Sequence, residues 1–392
     1  MSIFSYIQRG ISRQQNHEID FVVDIGTASI SAVFATSLSG NDVTQRYEVG
    51  TIFNKSFNLL TFSHGAPEAR AWHVVQTALS KLFADAVASR VRPRRVRISV
   101  ASLFFKEVTV QKTVARVRAD YAITLSELDS LREESKKEVI AGQDMVIIRD
   151  RILQCTINGY TVIDPLGYTG ETLQCTFQFL FISQLLHKHI AELLERYFPA
   201  IPVTYYSDAD VLVALAEFTS SALPALIMDI GGEATSCYAL QAGQKITYHP
   251  PIYFGVRTLE RRIAATMHGE VEEAESLLRR FTAQTLHEGE WEKIQPTLEG
   301  ALKDWWILVS KEVPAMKACV SLLIAGAGRD MVFFTDTIQK QAPSIFSVAP
   351  DHIHSLQLPE DLFVPKKAFG FGGDMILGGL VLIDKHESFH AG

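Results

Sequence analysis

One pattern occurs twice in this chain. FVVDIGTASISAVF at residues 21–34 and LIMDIGGEATSCYA at residues 226–239 align without a gap, placing Asp24 on Asp229, Ile25 on Ile230, Gly26 on Gly231 and Ser31 on Ser236. Each copy is an apolar run closed by Asp-Ile-Gly and followed by a second apolar run, which reads as strand, tight turn, strand. Such a hairpin suits phosphate. Glycine lets the backbone approach an anion closely, and successive N–H groups of the turn point at it. The aspartate at the strand end offers a carboxylate to a hydrated Mg2+. Two such turns, distant in sequence but facing each other, would clasp a polyphosphate from both sides; the alternative is that each Asp-Ile-Gly is merely a hairpin turn. A later strand, VSLLIAGAGRDM, runs into Gly326-Ala327-Gly328 and adds a third close-approach turn.

Composition narrows the classes around this pattern. With 47% hydrophobic and 21% charged residues over 392 positions, the chain is globular and long enough for two or three domains. A formal charge of -7 speaks against nucleic acid as a partner. The four cysteines, Cys155, Cys175, Cys237 and Cys319, form no CxxC pair. That excludes zinc-ribbon spacing and a disulfide scaffold, and makes a reducing cytosol the expected compartment. His73, His187, His189, His249 and His268 show no HExxH spacing, and no GxSxG or P-loop lysine motif is present. No signal-peptide pattern is present, and no apolar run approaches the roughly 18–20 residues of a spanning helix.

The intervening chain predicts further elements. Residues 71–90 carry apolar spacing of three and four and read as a helix. Residues 103–185 form a compact α+β unit: a strand, a helix opened by a Thr124/Glu127 capping box, then two strands separated by the turn-rich PLGYTG. Residues 256–317 are mainly helical, with Trp305 and Trp306 in the core, and FGFGGDMILGGLVLI is a closing helix. The basic cluster RVRPRRVR at 90–97 reads as solvated surface or as a contact for anionic lipid or acidic partners. In residues 1–15, Ile3, Phe4, Ile7 and Ile11 fall on one helical face opposite Arg9 and Arg13. This suits a peripheral membrane anchor, with a frayed terminus or a partner peptide as the alternatives.

The three glycine-containing segments, in this order, resemble the two phosphate motifs and the adenosine motif of the actin-like ATPase superfamily. DIGTASISAV, the position of the 103–185 unit and PIYFGVRTLERRIA resemble, more narrowly, the FtsA/PilM branch. The resemblance spans about residues 19–385. It implies an α/β protein of the actin-like ATPase fold, two lobes with a central nucleotide cleft and a small inserted α+β subdomain. Lobe I would comprise 19–102 with 186–220 and 351–392, the FtsA-type insert 103–185, and lobe II 221–350 with a helical subdomain at about 256–317, preceded by a tail at 1–18.

By the same resemblance the cofactors are ATP and Mg2+. Asp24 and Asp229 would hold the metal through water, and Gly26, Thr27, Ala28, Gly231 and Gly232 would cradle phosphates. Gly326, Ala327 and Gly328 would let the adenosine lie against backbone, and Glu275 would meet the nucleoside. Asp208 and Asp210, at the start of DADVLVALAEF, are candidates for orienting a hydrolytic water. They read equally as acidic residues at the start of a helix capped by Ser207. Lysines that relatives carry are replaced by Ser29, Ser31 and Leu278, and Glu233 brings a carboxylate toward the phosphates. These departures imply hydrolysis that is weak or absent. The implied role is an oligomer- or filament-forming adaptor for the division tubulin FtsZ at the inner face of the cell membrane. The alternatives are a PilM-like cytoplasmic scaffold of type IV pilus assembly that binds a peptide of a membrane protein, or a degenerate non-hydrolysing adaptor.

Overall fold

The computed structural model describes residues 19–38, 46–57, 59, 69–140, 144–219, 222–241, 246–313, 319–359, 362–364 and 374–390. The amphipathic segment expected at residues 1–15 lies outside the described residues. β1 (Ile19–Ile25) and β2 (Ser29–Leu38) form the first hairpin, and β3 (Arg46–Val49) and β4 (Phe53–Ser56) both pair with β2. α1 (Ala69–Ala88) leads to β5 (Arg95–Val100), parallel to β1. The insert follows: β6 (Phe105–Ala115), α2 (Leu125–Ile140), β7 (Met145–Ile157), β8 (Tyr160–Val162) and β9 (Thr172–Ser183), an antiparallel sheet ordered β6-β9-β7-β8. α3 (Gln184–Tyr197), β10 (Val203–Ser207) and α4 (Asp208–Phe218) return to the first lobe, where β10 lies parallel to β5.

The second lobe begins with β11 (Ala225–Ile230), β12 (Thr235–Leu240) and β13 (Ile246–Tyr248). Three helices, α5 (Val256–Met267), α6 (Val271–Thr282) and α7 (Glu288–Glu312), precede β14 (Ser321–Ala325). α8 (Val332–Phe346) and β15 (Ile353–Ser355) complete the lobe, and β16 (Phe363–Val364) and α9 (Met375–His390) close the chain. β15 pairs with β14, so the return to the first lobe falls after residue 355 rather than at 351; β16 is the strand that rejoins the first sheet, beside β3.

The duplication seen in the sequence extends to the topology. The first sheet runs β10-β5-β1-β2-β3 and the second β15-β14-β11-β12-β13, with matching parallel and antiparallel pairings at each step. Alternation explains how β1 serves two layers. Phe21, Val23 and Ile25 pack with α1 and α3, whereas Val22 faces the layer holding α4 and α9. β11 and β14 are buried along their whole length, as expected for strands covered on both faces. α4 is buried from Asp208 to Ala216 because it sits with α9 between the two sheets. Trp305 lies in the second-lobe core, its indole N–H donating to Thr235 Oγ1 at 3.0 Å.

Two local readings are corrected. Thr124 Oγ1 accepts the Glu127 N–H, but the Glu127 carboxylate is taken by Arg116 at 2.7 and 3.1 Å, so only half of the capping box forms. A charge-assisted guanidinium bond outcompetes a neutral backbone donor. The cluster at 90–97 is not simply solvated. Arg94, Arg95 and Arg97 all bond the carboxylate of Asp20, and Arg97, itself buried, also donates to the Leu380 carbonyl of α9 at 2.8 Å. Burial raises the Asp20 pKa, but the charge of Arg97, helped by Arg95 and Arg94, outweighs it and holds the carboxyl below its ordinary value. The stabilisation is therefore full above the ordinary carboxylate pKa and is lost as pH falls through the lowered one. Asp20→Ala strands a buried guanidinium and is expected to cost about 3–5 kcal/mol in urea unfolding; a loss below about 1 kcal/mol would show that the cluster is merely superficial.

Candidate functional site

Each hairpin turn is closed by the same backbone bond: Gly26 N–H to the Ser29 carbonyl at 3.0 Å, and Gly231 N–H to the Ala234 carbonyl at 2.9 Å. The strand registers match too, Asp24 opposite Ser31 and Asp229 opposite Ser236. The turns meet. Thr27 Oγ1 accepts the Glu233 N–H at 3.1 Å, a contact across 206 residues of chain. A Cβ on Gly232 would stand 2.2 Å from the Ala28 Cβ, so glycine is needed there for contact between the lobes. Ser102 and Ser236 join their hydroxyls, and Tyr238 donates to Asp208 Oδ1 at 2.7 Å. α5 braces the second turn from behind: its first N–H groups, on Val256 and Arg257, donate to the Gly231 and Gly232 carbonyls at 3.1 and 2.8 Å.

Beside the paired turns lies a cavity of about 790 Å3, within the usual range for a small-molecule or cofactor site. Of the residues singled out in the sequence, Asp24, Gly26, Thr27, Ala28, Asp208, Asp229, Gly231, Gly232, Glu275, Gly326 and Ala327 line it. Gly326 adopts φ +76°, and a Cβ there would meet Asp229 Oδ1 at 2.3 Å. Two candidates sit elsewhere. Gly328 does not line the cavity; its missing side chain makes room for Ile230, whose Cγ2 would be 2.4 Å from a Cβ. Asp210 forms a capping box with Ser207 and takes Arg151 at 3.0 Å, facing the insert instead of the cavity. Burial raises its pKa, but Arg149 and Arg151 outweigh this and keep it ionised.

Glu233 does not line the cavity. Its carboxylate is turned to Arg261, with contacts of 2.6 and 3.0 Å. Arg257, Arg279 and Asp374 are charged lining residues that the sequence reading did not single out. Arg257 bonds Glu260 at 2.8 Å and Glu275 at 3.2 Å, and Arg279 bonds Glu275 at 2.6 Å. Asp374 caps α9, its Oδ1 accepting the Leu377 N–H at 2.9 Å. The signal for Asp374 was an aspartate directly before an apolar helix; nothing in the pattern of Arg257 or Arg279 set them apart from other surface arginines.

The cavity gathers carboxyl groups whose ionised forms oppose one another. Burial pushes the Asp208 carboxyl up to about 8, with Asp229 adding to it, and pushes Asp229 up to about 7, with repulsion from Asp374. Asp24 is raised well above its ordinary value by burial and then by Asp374, Asp208 and Asp229. Asp374 is raised by burial. Asp208 is fixed by three donors, the N–H groups of Ser102 (3.0 Å) and Ala209 (2.7 Å) and the Tyr238 hydroxyl. These carboxylates fit a cation by charge. Among the described residues no three carboxylate, imidazole or thiol side chains converge as direct ligands, so the donor set suits a hydrated ion held through water.

No described protein family matches the sequence, and no curated protein does. Among solved structures, the chain is similar to the PilM–PilN type IV pilus biogenesis complex, with a TM-score of 0.59 at 16% identity over 93% of this chain and 98% of that one. It is also similar to a Bacteroides thetaiotaomicron protein with an actin-like ATPase fold and unknown function (TM-score 0.43, 10% identity, 97% and 99% coverage). A third is the ethanolamine utilization protein EutJ from Carboxydothermus hydrogenoformans (TM-score 0.45, 11% identity, 96% and 92% coverage). The likeness is one of fold: the chain has the actin-like ATPase fold, two lobes around a cleft.

The raised carboxyls set a pH dependence. The folded chain keeps protons that the unfolded chain releases near the ordinary carboxylate value, so this contribution to stability is full below that value and is lost as pH rises through about 7 to 8. The ligand-free unfolding temperature is expected to fall on going from mildly acidic to alkaline buffer. Asp229→Asn should flatten that slope; an equal slope in the variant would remove Asp229 from the account.

Proposed function

We propose that this chain binds ATP as its magnesium complex in the cleft between the lobes and works as a nucleotide-responsive scaffold, with hydrolysis weak or absent. The observation that carries this reading is the meeting of two matched Asp-Ile-Gly turns at one cavity. Gly26, Thr27, Ala28, Gly231 and Gly232 would cradle phosphates, and Asp24 and Asp229 would hold the hydrated ion. Glu275 would meet the nucleoside, and Gly326 and Ala327 would offer it backbone. Of the lining residues, seven are acidic (Asp24, Asp208, Asp229, Glu260, Glu275, Asp330, Asp374) and two are arginines. Ionised, these carboxyls would repel an uncomplexed triphosphate, and a bound divalent cation would favour their ionised form and supply the missing positive charge.

Slow or absent hydrolysis is supported by the state of Asp208. It faces the cavity, but Ser102, Ala209 and Tyr238 take three of its acceptor positions, and burial pushes its carboxyl up to about 8, which weakens it as an acceptor for water. A water-orienting group needs a free acceptor. Bound nucleotide touching both lobes would bias their opening by its differential affinity for the two states.

For the output, the similarity to the PilM–PilN complex supports a scaffold of the pilus-assembly type that receives a peptide of a membrane protein at the cytoplasmic face. Among the described residues no helix is long and apolar enough to cross a membrane. The insert supports a contact role, since Val117, Tyr121, Tyr160, Ile163 and Tyr168 are all exposed on it. Oligomers of the chain are part of this proposal. The division-tubulin role rests on resemblance alone, that of DIGTASISAV, of the placement of the 103–185 unit and of PIYFGVRTLERRIA.

Titration with a fluorescent ATP analogue tests the reading. Binding is expected with Mg2+ and not with chelator, and Asp229→Ala should weaken it at least tenfold, about 1.4 kcal/mol. A parent protein that binds neither nucleotide nor metal would end it.

A further inference from the structure

Cys155 on β7 and Cys175 on β9 are direct partners in the antiparallel ladder of the insert. Their sulfurs lie 3.0 Å apart, and the residues are 2% and 0% exposed. Directly opposed residues in such a ladder have Cα atoms about 4.5 or 5.5 Å apart, depending on the pair type. Both separations fall inside the roughly 4.4–6.8 Å that a disulfide spans. Closing the gap to a covalent bond therefore asks for side-chain rotation and leaves the strands where they are. The other two cysteines offer no such pairing: Cys237 lies on β12, and Cys319, before β14, donates its thiol to the Ser321 carbonyl.

The pair brackets a particular stretch of chain. Between the two residues run the turn at Asn158–Gly159, β8 and the loop to Thr172. This stretch carries the exposed side chains of Tyr160, Ile163, Leu166 and Tyr168. Its base is held by the Asn158 side chain, whose Oδ1 accepts the Glu171 and Thr172 N–H groups at 2.9 and 3.0 Å.

We propose that Cys155 and Cys175 are a reversible thiol–disulfide pair, oxidised by a two-electron oxidant of the peroxide class, and that the bond staples the base of this apolar loop. The Cys155 thiolate attacks one peroxide oxygen; an S–O bond forms, the O–O bond breaks and hydroxide leaves. The Cys175 sulfur then attacks the sulfenic sulfur; the S–S bond forms, the S–O bond breaks, and the oxygen leaves as water with the Cys175 proton. The proton released by Cys155 converts the hydroxide to a second water. Two thiols give up two electrons, and one peroxide becomes two waters. The hydrogen bond between the sulfurs favours this order, since it holds the Cys155 thiol below its ordinary range and pushes Cys175 above it. A small oxidant reaches the pair through local opening of the hairpin, where β7 is covered on its outer edge by only the three residues of β8.

The test uses the full chain, hydrogen peroxide, alkylation under denaturing conditions and intact mass. The parent is expected to go from four alkylatable thiols to two, with the mass of two hydrogens lost, a Cys155–Cys175 linkage on peptide mapping, and recovery with dithiothreitol. Amide exchange across residues 158–171 should slow about tenfold on oxidation and stay unchanged in Cys175→Ser. Four thiols surviving treatment, a linkage through Cys237 or Cys319, or a linkage that leaves loop exchange unaltered would each overturn the proposal. Cys175→Ala, which keeps the site apolar, serves if the serine variant fails to fold.

Discussion

Everything at the centre of this molecule depends on how closely two backbone turns approach each other. Ala28 occupies the space that any side chain on Gly232 would need, and Gly255 in turn lies so close beneath that a Cβ there would be 2.5 Å from both the Gly231 and Gly232 carbonyls. Three layers of backbone are thus stacked with almost no side chain between them. The requirement for glycine is one of space here; only Gly326, at positive φ, adds a conformational reason. The lobes are joined at this point by small hydroxyls, those of Thr27, Ser102 and Ser236. Neutral bonds of this kind are individually weak.

Charge is the second organising feature. Four aspartates from four separate elements, Asp24, Asp208, Asp229 and Asp374, reach one cavity with little water to solvate them. Keeping several carboxylates in one low-dielectric space is unfavourable unless protons or a cation intervene. Contrast Asp20, equally buried yet held ionised by three guanidinium groups. The chain therefore neutralises its structural carboxylate internally and leaves those around the cleft dependent on something from outside.

Much of this was legible in the sequence because it is local and repeated. Asp-Ile-Gly twice, followed by Gly-Ala-Gly, exposes the strand ends and their turns, and period-two and period-three/four patterns mark the elements around them. What was not legible is tertiary. Nothing in the string DADVL says that Asp208 turns to the cleft while Asp210, two positions on, turns to the insert; that depends on Arg149 and Arg151 arriving from β7. Glu233 looked like a liability beside phosphate until Arg261, 28 residues away, was seen to take it. The arginines at 94, 95 and 97 looked like surface because their partner, Asp20, lies more than 70 residues earlier. Pairings at long range override local composition in each case.

Arg97 also reaches forward, to the Leu380 carbonyl 283 residues later, and α9 shares a core with Val22, Val33 and the buried face of α4. The N-terminal half is consequently unfinished until α9 has been made. During synthesis the early hairpin and α4 emerge with one apolar face uncovered, and Arg97, paired with Asp20, still lacks the Leu380 carbonyl. The second half can complete its own sheet sooner, since β11 to β15 are contiguous in the chain. The order in which the ribosome releases the halves is then the reverse of the order in which they can mature.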